Sequence, residues 1–197
     1  MSSRQDYYSA AKKELESNIF NHSLAVEACM AGLYDYFKAN SLLSDTELPK
    51  EDWIIAGLIH DIDYSNEFKA DHPHKTKEAL AKYNLDLSES IDLIVKAHGP
   101  ELTGVKPKSL AQWSIFCADS LTGLIIATTL VYPNKKLEDV KTSSVLKRFL
   151  KEPKFAAGTR RDEVIQCENP NGLNLKIDQF IEICLNSIKK IAPEIGL

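Results

Sequence analysis

"GLIHDIDY", residues 57–64, closes a stretch from Trp53 to Ile59 that carries no charged side chain. The run from about Lys50 to His60 reads as a helix that is apolar all round, the pattern of a helix in the middle of a core. Such a helix should end in more apolar chain or in a solvated turn. Here it ends on His60 and Asp61 side by side, with a second carboxylate at Asp63. Polar groups at a buried helix end need partners, because burying them alone costs several kcal/mol. Gly57, one turn before Asp61, leaves room on that side of the helix.

Working outward, the rest of the chain is helical almost everywhere. His22, Ala25, Val26, Cys29, Leu33 and Tyr36 recur at helix spacing between residues 22 and 37, which places His22 on the apolar stripe. Further helices are predicted from Pro73 to Tyr83 and from Ser88 to His98. The second of these is stopped by Gly99 and Pro100 and has Ile91, Ile94, Val95 and His98 on one face. A long helix runs from Ser109 to about Val131. Shorter ones follow near 137–150, 159–168 and 174–190, with "ENPNG" (168–172) as the clearest turn. There is no alternating strand pattern, repeat or low-complexity linker. The expectation is an all-α, single-domain helical bundle over residues 1–197, with the helices of about 137–190 packing on the rest.

The chain has 197 residues, 44% of them hydrophobic and 26% charged, which suffices for one sizeable core. A net charge of −4 argues against a nucleic-acid scaffold or a basic membrane-binding surface. Cys29, Cys117, Cys167 and Cys184 form no Cys-x-x-Cys pair and sit in apolar helical contexts, as reduced core thiols do. The N-terminal residues carry charges throughout with no apolar run, so no signal peptide is expected and the cytoplasm is the expected location.

From Ser109 through Asn134 the one charged side chain is Asp119. The length suits a membrane span, but Gln112, Ser114, Ser120, Thr122, Thr128 and Thr129 are too many polar groups for a lone one, and a buried core helix is the reading. Asp119 therefore needs a cation or strong donors. His22, His60 and His98 lie on inner faces or ends of other helices, and His72 at the start of the third. Each alone is an ordinary hydrogen-bonded core residue. Together, inward histidines and carboxylates on several helices are what a bundle presents when it holds metal ions. Imidazole and carboxylate without cysteine suit Mn, Fe, Zn, Co or Ni, and also admit Mg.

At this point the residues are recognisable. The order His22, His60-Asp61, Asp119, with "NHS" (21–23), "AGLIHDIDY" (56–64) and "CADSLTGLI" (117–125), resembles the HD-domain superfamily of metal-dependent phosphohydrolases, in particular its small stand-alone bacterial members. The resemblance covers about residues 18–131 and continues more loosely into "FAAGTRRDEV" (155–164), where Arg161 falls at a basic position of those members. Ser65 departs from it, standing where relatives often have an acidic residue.

The resemblance implies that His22, His60, Asp61 and Asp119 hold one divalent ion, and that Asp61, His72 and His98 hold a second, with hydroxide between them. His72 is preferred to His74 because a leucine, Leu80, follows it eight positions later as in the family. Asp63 either orients a ligand histidine or is a loop carboxylate in solvent. The implied reaction is hydrolysis of a phosphate ester or anhydride, of a nucleotide or another small phosphorylated metabolite, with His60, Asp61 and Asp63 as the catalytic group. Lys75, Lys96, Lys147, Arg148 and Arg161 are the basic residues to test for phosphate contacts. Two alternatives stay open: a di-iron oxygenase on the same ligands, and a metal-binding signalling module without catalysis. The partner is a small phosphorylated substrate, not a nucleic acid or a membrane; assembly into a homo-oligomer is left open.

Overall fold

The computed structural model describes residues 2–197, and among these every regular element is helical. Ten α-helices follow in order: α1 (Arg4–Glu14), α2 (Ser17–Ala39), α3 (Lys50–Ile59), α4 (Thr76–Ala81), α5 (Glu89–Lys96), α6 (Pro100–Thr103), α7 (Leu110–Leu130), α8 (Thr142–Lys151), α9 (Arg161–Val164) and α10 (Ile177–Lys189). Three 3₁₀ turns, Asn66–Asp71, Leu137–Asp139 and Ile165–Glu168, lie between them. The architecture is the single-domain all-α bundle expected from the sequence.

The centre is α2. It packs on α3, α7 and α10, while α5 bridges α3 and α7, and α8 and α10 close the C-terminal end. Trp53, fully buried on α3, meets Tyr34 and Phe37 of α2 through tilted and edge-on ring contacts. One turn further on, α3 comes so near α2 that a Cβ on Gly57 would lie 2.9 Å from the Glu27 Cα and 3.0 Å from its amide nitrogen. Only glycine permits that approach. The room left by Gly57 is filled by the main chain of α2.

The long apolar helix is a core element. Leu110–Leu130 has the length and composition of a membrane span, yet most of it is buried within the protein. Ser109 and Gln112 cap it reciprocally, the Ser109 hydroxyl accepting from the Gln112 amide and the Gln112 side chain from the Ser109 amide.

Several boundaries differ from expectation. The helix predicted from Pro73 starts only at Thr76, because residues 72–75 are engaged elsewhere: His72 and the Lys75 amide both bond to Asp63. Pro100 is not a stop but the first residue of a one-turn helix that ends at Gly104 in the left-handed region (φ +74°). The segments predicted at 137–150 and 159–168 each split into a 3₁₀ turn and an α-helix. The N-terminal helix α1 was not expected. Its buried face is made of Tyr7, Ala10, Ala11 and Glu14, too few large apolar groups to register as a stripe. The four cysteines are buried and free.

A candidate metal centre

His60 is the first residue past α3, and its position follows from the Gly57 contact, which sets its ring 5.1 Å from that of His22 on α2. Asp61 follows in the same tight turn, whose bonds run from the Ile62 amide to Ile59 and from the Tyr64 amide to Asp61. His98 comes from the end of α5, His72 from the chain before α4, and Asp119 from the middle of α7. Five of the six line one cavity of about 430 Å³; the sixth, His60, is fully buried behind it, with its Nε2 turned to His22 and Asp61.

The histidines share one arrangement. The Nδ1 of His60 faces the Gly57 carbonyl at 2.8 Å, that of His98 the Val95 carbonyl, and that of His72 the Asp63 carboxylate at 2.7 Å. The Nδ1 of His22 lies 3.0 Å from the Thr122 hydroxyl, whose own hydrogen goes to the Asp119 carbonyl at 2.7 Å. Three of these partners can only accept, and the Thr122 hydroxyl has its hydrogen engaged elsewhere, so each Nδ1 carries a hydrogen and each ring, when neutral, presents a lone pair on Nε2.

Those lone pairs converge. His22 and His60 stand Nε2 to Nε2 at 3.2 Å, and His72 and His98 at 3.4 Å. Asp61 joins both pairs with different oxygens. Its Oδ2 lies 3.6 Å from His22 and 3.5 Å from His60, and its Oδ1 lies 3.5 Å from His72 and 3.9 Å from His98. Asp119 Oδ1 is 3.0 Å from His22 and 3.7 Å from His60. Atoms that bind one ion at about 2 Å, at tetrahedral or octahedral angles, sit roughly 3 to 3.4 Å from one another. Two groups come within about half an ångström of that condition: His22, His60 and Asp61, and Asp61, His72 and His98. Facing lone pairs and carboxylates repel unless a positive charge lies among them, so the residues fit divalent cations.

The electrostatics agree. Burial works against charge on His60, but Asp61 and Asp119 outweigh it and raise its pKa to about 9. Burial likewise pushes Asp119 and Asp61 up, yet the histidines beside them hold Asp119 well below the usual carboxylate range and Asp61 below it as well. His98, sealed in beside His60, is pushed down. The site is built to hold positive charge at its centre.

Asp63 is fully buried rather than in solvent. One oxygen takes the His72 Nδ1 and the other the Lys75 amide, so the carboxylate fixes both the ring and the chain that carries it. His74 is exposed and belongs to neither group. Ser65, at the departure from the resemblance, is buried and donates to the Glu14 carbonyl.

The basic residues singled out from the sequence lie elsewhere. None of Lys75, Lys96, Lys147, Arg148 and Arg161 lines the cavity. Lys75 pairs with Glu78, Lys96 with Asp92 and Lys147 with Glu152, while Arg148 lies over the Phe155 ring. Arg161 donates to the carbonyls of Phe149, Glu152 and Phe155 and so ties the segment after α8 to the start of α9. Its neighbour Arg160 reaches the site, bonding Asp119 Oδ2 at 2.8 Å and the Ser120 hydroxyl at 3.1 Å. Also in the wall, and not foreseen, are Gly123, one turn past Asp119, and Tyr64, whose ring meets His72 edge-on. A glycine inside an otherwise apolar helix was the available signal for the first, while the two adjacent arginines offer no local cue to tell them apart.

No curated protein and no solved structure matches the chain. A family model does: the model described as HD domain matches residues 19–124, more than half of the chain. That match begins just before His22 and ends just past Asp119, enclosing all six converging residues, and on it the chain belongs to the HD domain family.

Proposed function

We propose that the protein is a metal-dependent phosphohydrolase that cleaves a phosphate ester or anhydride of a small metabolite such as a nucleotide. The observation that carries this reading is Asp61, whose two oxygens face two different histidine pairs, the arrangement of a carboxylate shared between two ions. His22, His60, Asp61 and Asp119 would hold one, and Asp61, His72 and His98 the other. The donor set of imidazole and carboxylate without thiolate suits Mn, Fe, Zn, Co or Ni, and admits Mg. Such ions, when bound, acidify a water and neutralise charge on a phosphoryl group.

The remaining work belongs to the chain. The Nδ1 partners keep four rings in one tautomer and one orientation, so no histidine has to turn to serve as a ligand. Asp63 holds His72 and the backbone at Lys75 together. Gly123 leaves the wall beside Asp119 without a side chain; a Cβ built there meets nothing within 4 Å, which leaves space for a substrate. Tyr64 and Leu102, both exposed at the cavity, supply apolar surface for the group that carries the phosphate.

The test joins elemental analysis of purified protein to a screen of nucleotides and phosphomonoesters. Up to two ions per chain and a hydrolysis that a chelator abolishes are expected. Protein that binds no divalent ion at any concentration tried, or that hydrolyses at full rate after chelation, would overturn the reading.

A further inference from the structure

The converging residues all lie within the matched span of 19–124, but one charged side chain in the cavity comes from well beyond it. Arg160 stands at the end of the segment Gly158-Thr159-Arg160, which borders the cavity opposite in sequence to everything the family model covers. Among the described residues lining the cavity it is the one lysine or arginine. Its guanidinium is anchored along one edge. Nη2 donates to Asp119 Oδ2 at 2.8 Å, and Nε lies 2.6 Å from Glu163 Oε2 and 3.1 Å from the Ser120 hydroxyl. Nη1 has no partner among the described residues. The side chain is 46% exposed and lines the cavity, which leaves the guanidinium within reach of a ligand there. A guanidinium fixed on one edge and free on another is a fork already oriented for an oxyanion.

We propose that Arg160 binds the phosphoryl oxygens of the substrate, so that the C-terminal part of the chain supplies the anion-recognition element of a site whose metal-binding residues come from the HD domain. This rests on the phosphohydrolase reading above. Arg160 suits a phosphoryl group better than a carboxylate substrate because the neighbouring carboxylates, Asp119 and Glu163, already take its anchored edge and leave donors for a ligand carrying several equivalent oxygens. Gly123 and Gly158, both without side chains at the wall, give that ligand space beside the guanidinium.

The probe is inorganic phosphate, titrated calorimetrically into metal-loaded wild-type protein, Arg160→Ala and Arg160→Lys, with ions per chain measured on the same samples. Arg160→Ala should keep the wild-type metal content and lose about ten- to a hundredfold in phosphate affinity, the size of a charge-assisted pair of hydrogen bonds. Arg160→Lys, which keeps the charge but not the fork, should fall between. It also keeps the test open if the alanine variant does not fold. Unchanged phosphate affinity in either variant's loaded protein would overturn the proposal. So would a loss of metal as deep as that of Asp119→Ala with normal phosphate affinity in the fraction still loaded, since Arg160 would then only position Asp119. Wild-type protein that loads metal but binds no phosphate would overturn the phosphohydrolase reading as well; failure of the arginine variants alone would leave that reading standing.

Discussion

Glu14 and Asp119 are both carboxylates sunk among helices, and they differ in how many hydrogens point at them. Glu14, at the end of α1, has a side chain only 2% exposed, and it accepts from Lys82 (2.9 and 3.1 Å), the Tyr83 hydroxyl (2.8 Å) and the Asn66 amide (3.2 Å). Burial alone would push its pKa up, but those donors outweigh it and hold it below the ordinary value. Asp119 has Arg160 on one oxygen, while its other oxygen faces the Nε2 of His22, whose ring hydrogen is already committed to Thr122. One cluster is complete with protein atoms alone. The other leaves one carboxylate oxygen facing histidine nitrogens whose Nδ1 hydrogens point away, and this separates a carboxylate that pins helices together from one that can take a metal.

The comparison breaks most visibly if Asp61 is removed. Asp61→Ala should abolish metal binding at both groups and reduce hydrolysis by about a thousandfold or more, since both ions and the water they acidify depend on it. Bound metal should raise the melting temperature of wild type by mass action and leave that of the variant unchanged. A variant that retains wild-type turnover on a verified substrate would end the assignment.

Glu14 should show the converse. Glu14→Ala is expected to cost about 1–3 kcal/mol, read from denaturant unfolding, because it removes the buried acceptor that Lys82, Tyr83 and Asn66 share, while metal content per chain stays the same. The pH dependence follows from the direction of its shift. A carboxylate held below its unfolded value contributes stability above that value, about 4.5, and loses it as the pH falls through the folded one. Glu14→Gln should therefore flatten the acid limb of the stability curve and leave the neutral region parallel to wild type.

Gly123 probes the open side of the metal cluster. Replacing it with alanine should stabilise α7 by about 0.5–1 kcal/mol through helix propensity, whereas Gly123→Leu should fill the cavity beside Asp119 and raise KM. If the leucine variant turns over substrate normally, the substrate does not pass that wall. The smallest effect is expected at the exposed His74: His74→Ala should match wild type in metal content, and His72→Ala should lose one ion per chain.

Much of this contrast could be read before the fold was known. Asp119 stood out as a lone charge in a long apolar helix, His98 shared a face with Ile91, Ile94 and Val95, and all three of those apolar residues are buried. Such signals survive because helical period and burial act along the chain. The choice between His72 and His74 could not be settled that way, since two positions apart on an irregular segment have no fixed directions; the Asp63 contact gives His72 its orientation. Arg160 and Arg161 were confused for the same reason, one turning to the cavity and the other to three backbone carbonyls. Helix α1 escaped because its buried face is half alanine and ends on a glutamate that tertiary donors make tolerable.

The close approach at Gly57 has a consequence for which ions can be held. The span between His22 and His60 is set by main chain against main chain, and neither helix can slide inward without overlap or outward without opening a sealed core. An incoming cation therefore meets a gauge of fixed width instead of a pliant cage. Ions whose preferred bond lengths match it bind without an ordering cost, and larger or smaller ones are left with some bonds stretched. Selection at such a site would act through radius and geometry, and would let a weaker-bonding metal outcompete a stronger one that does not fit.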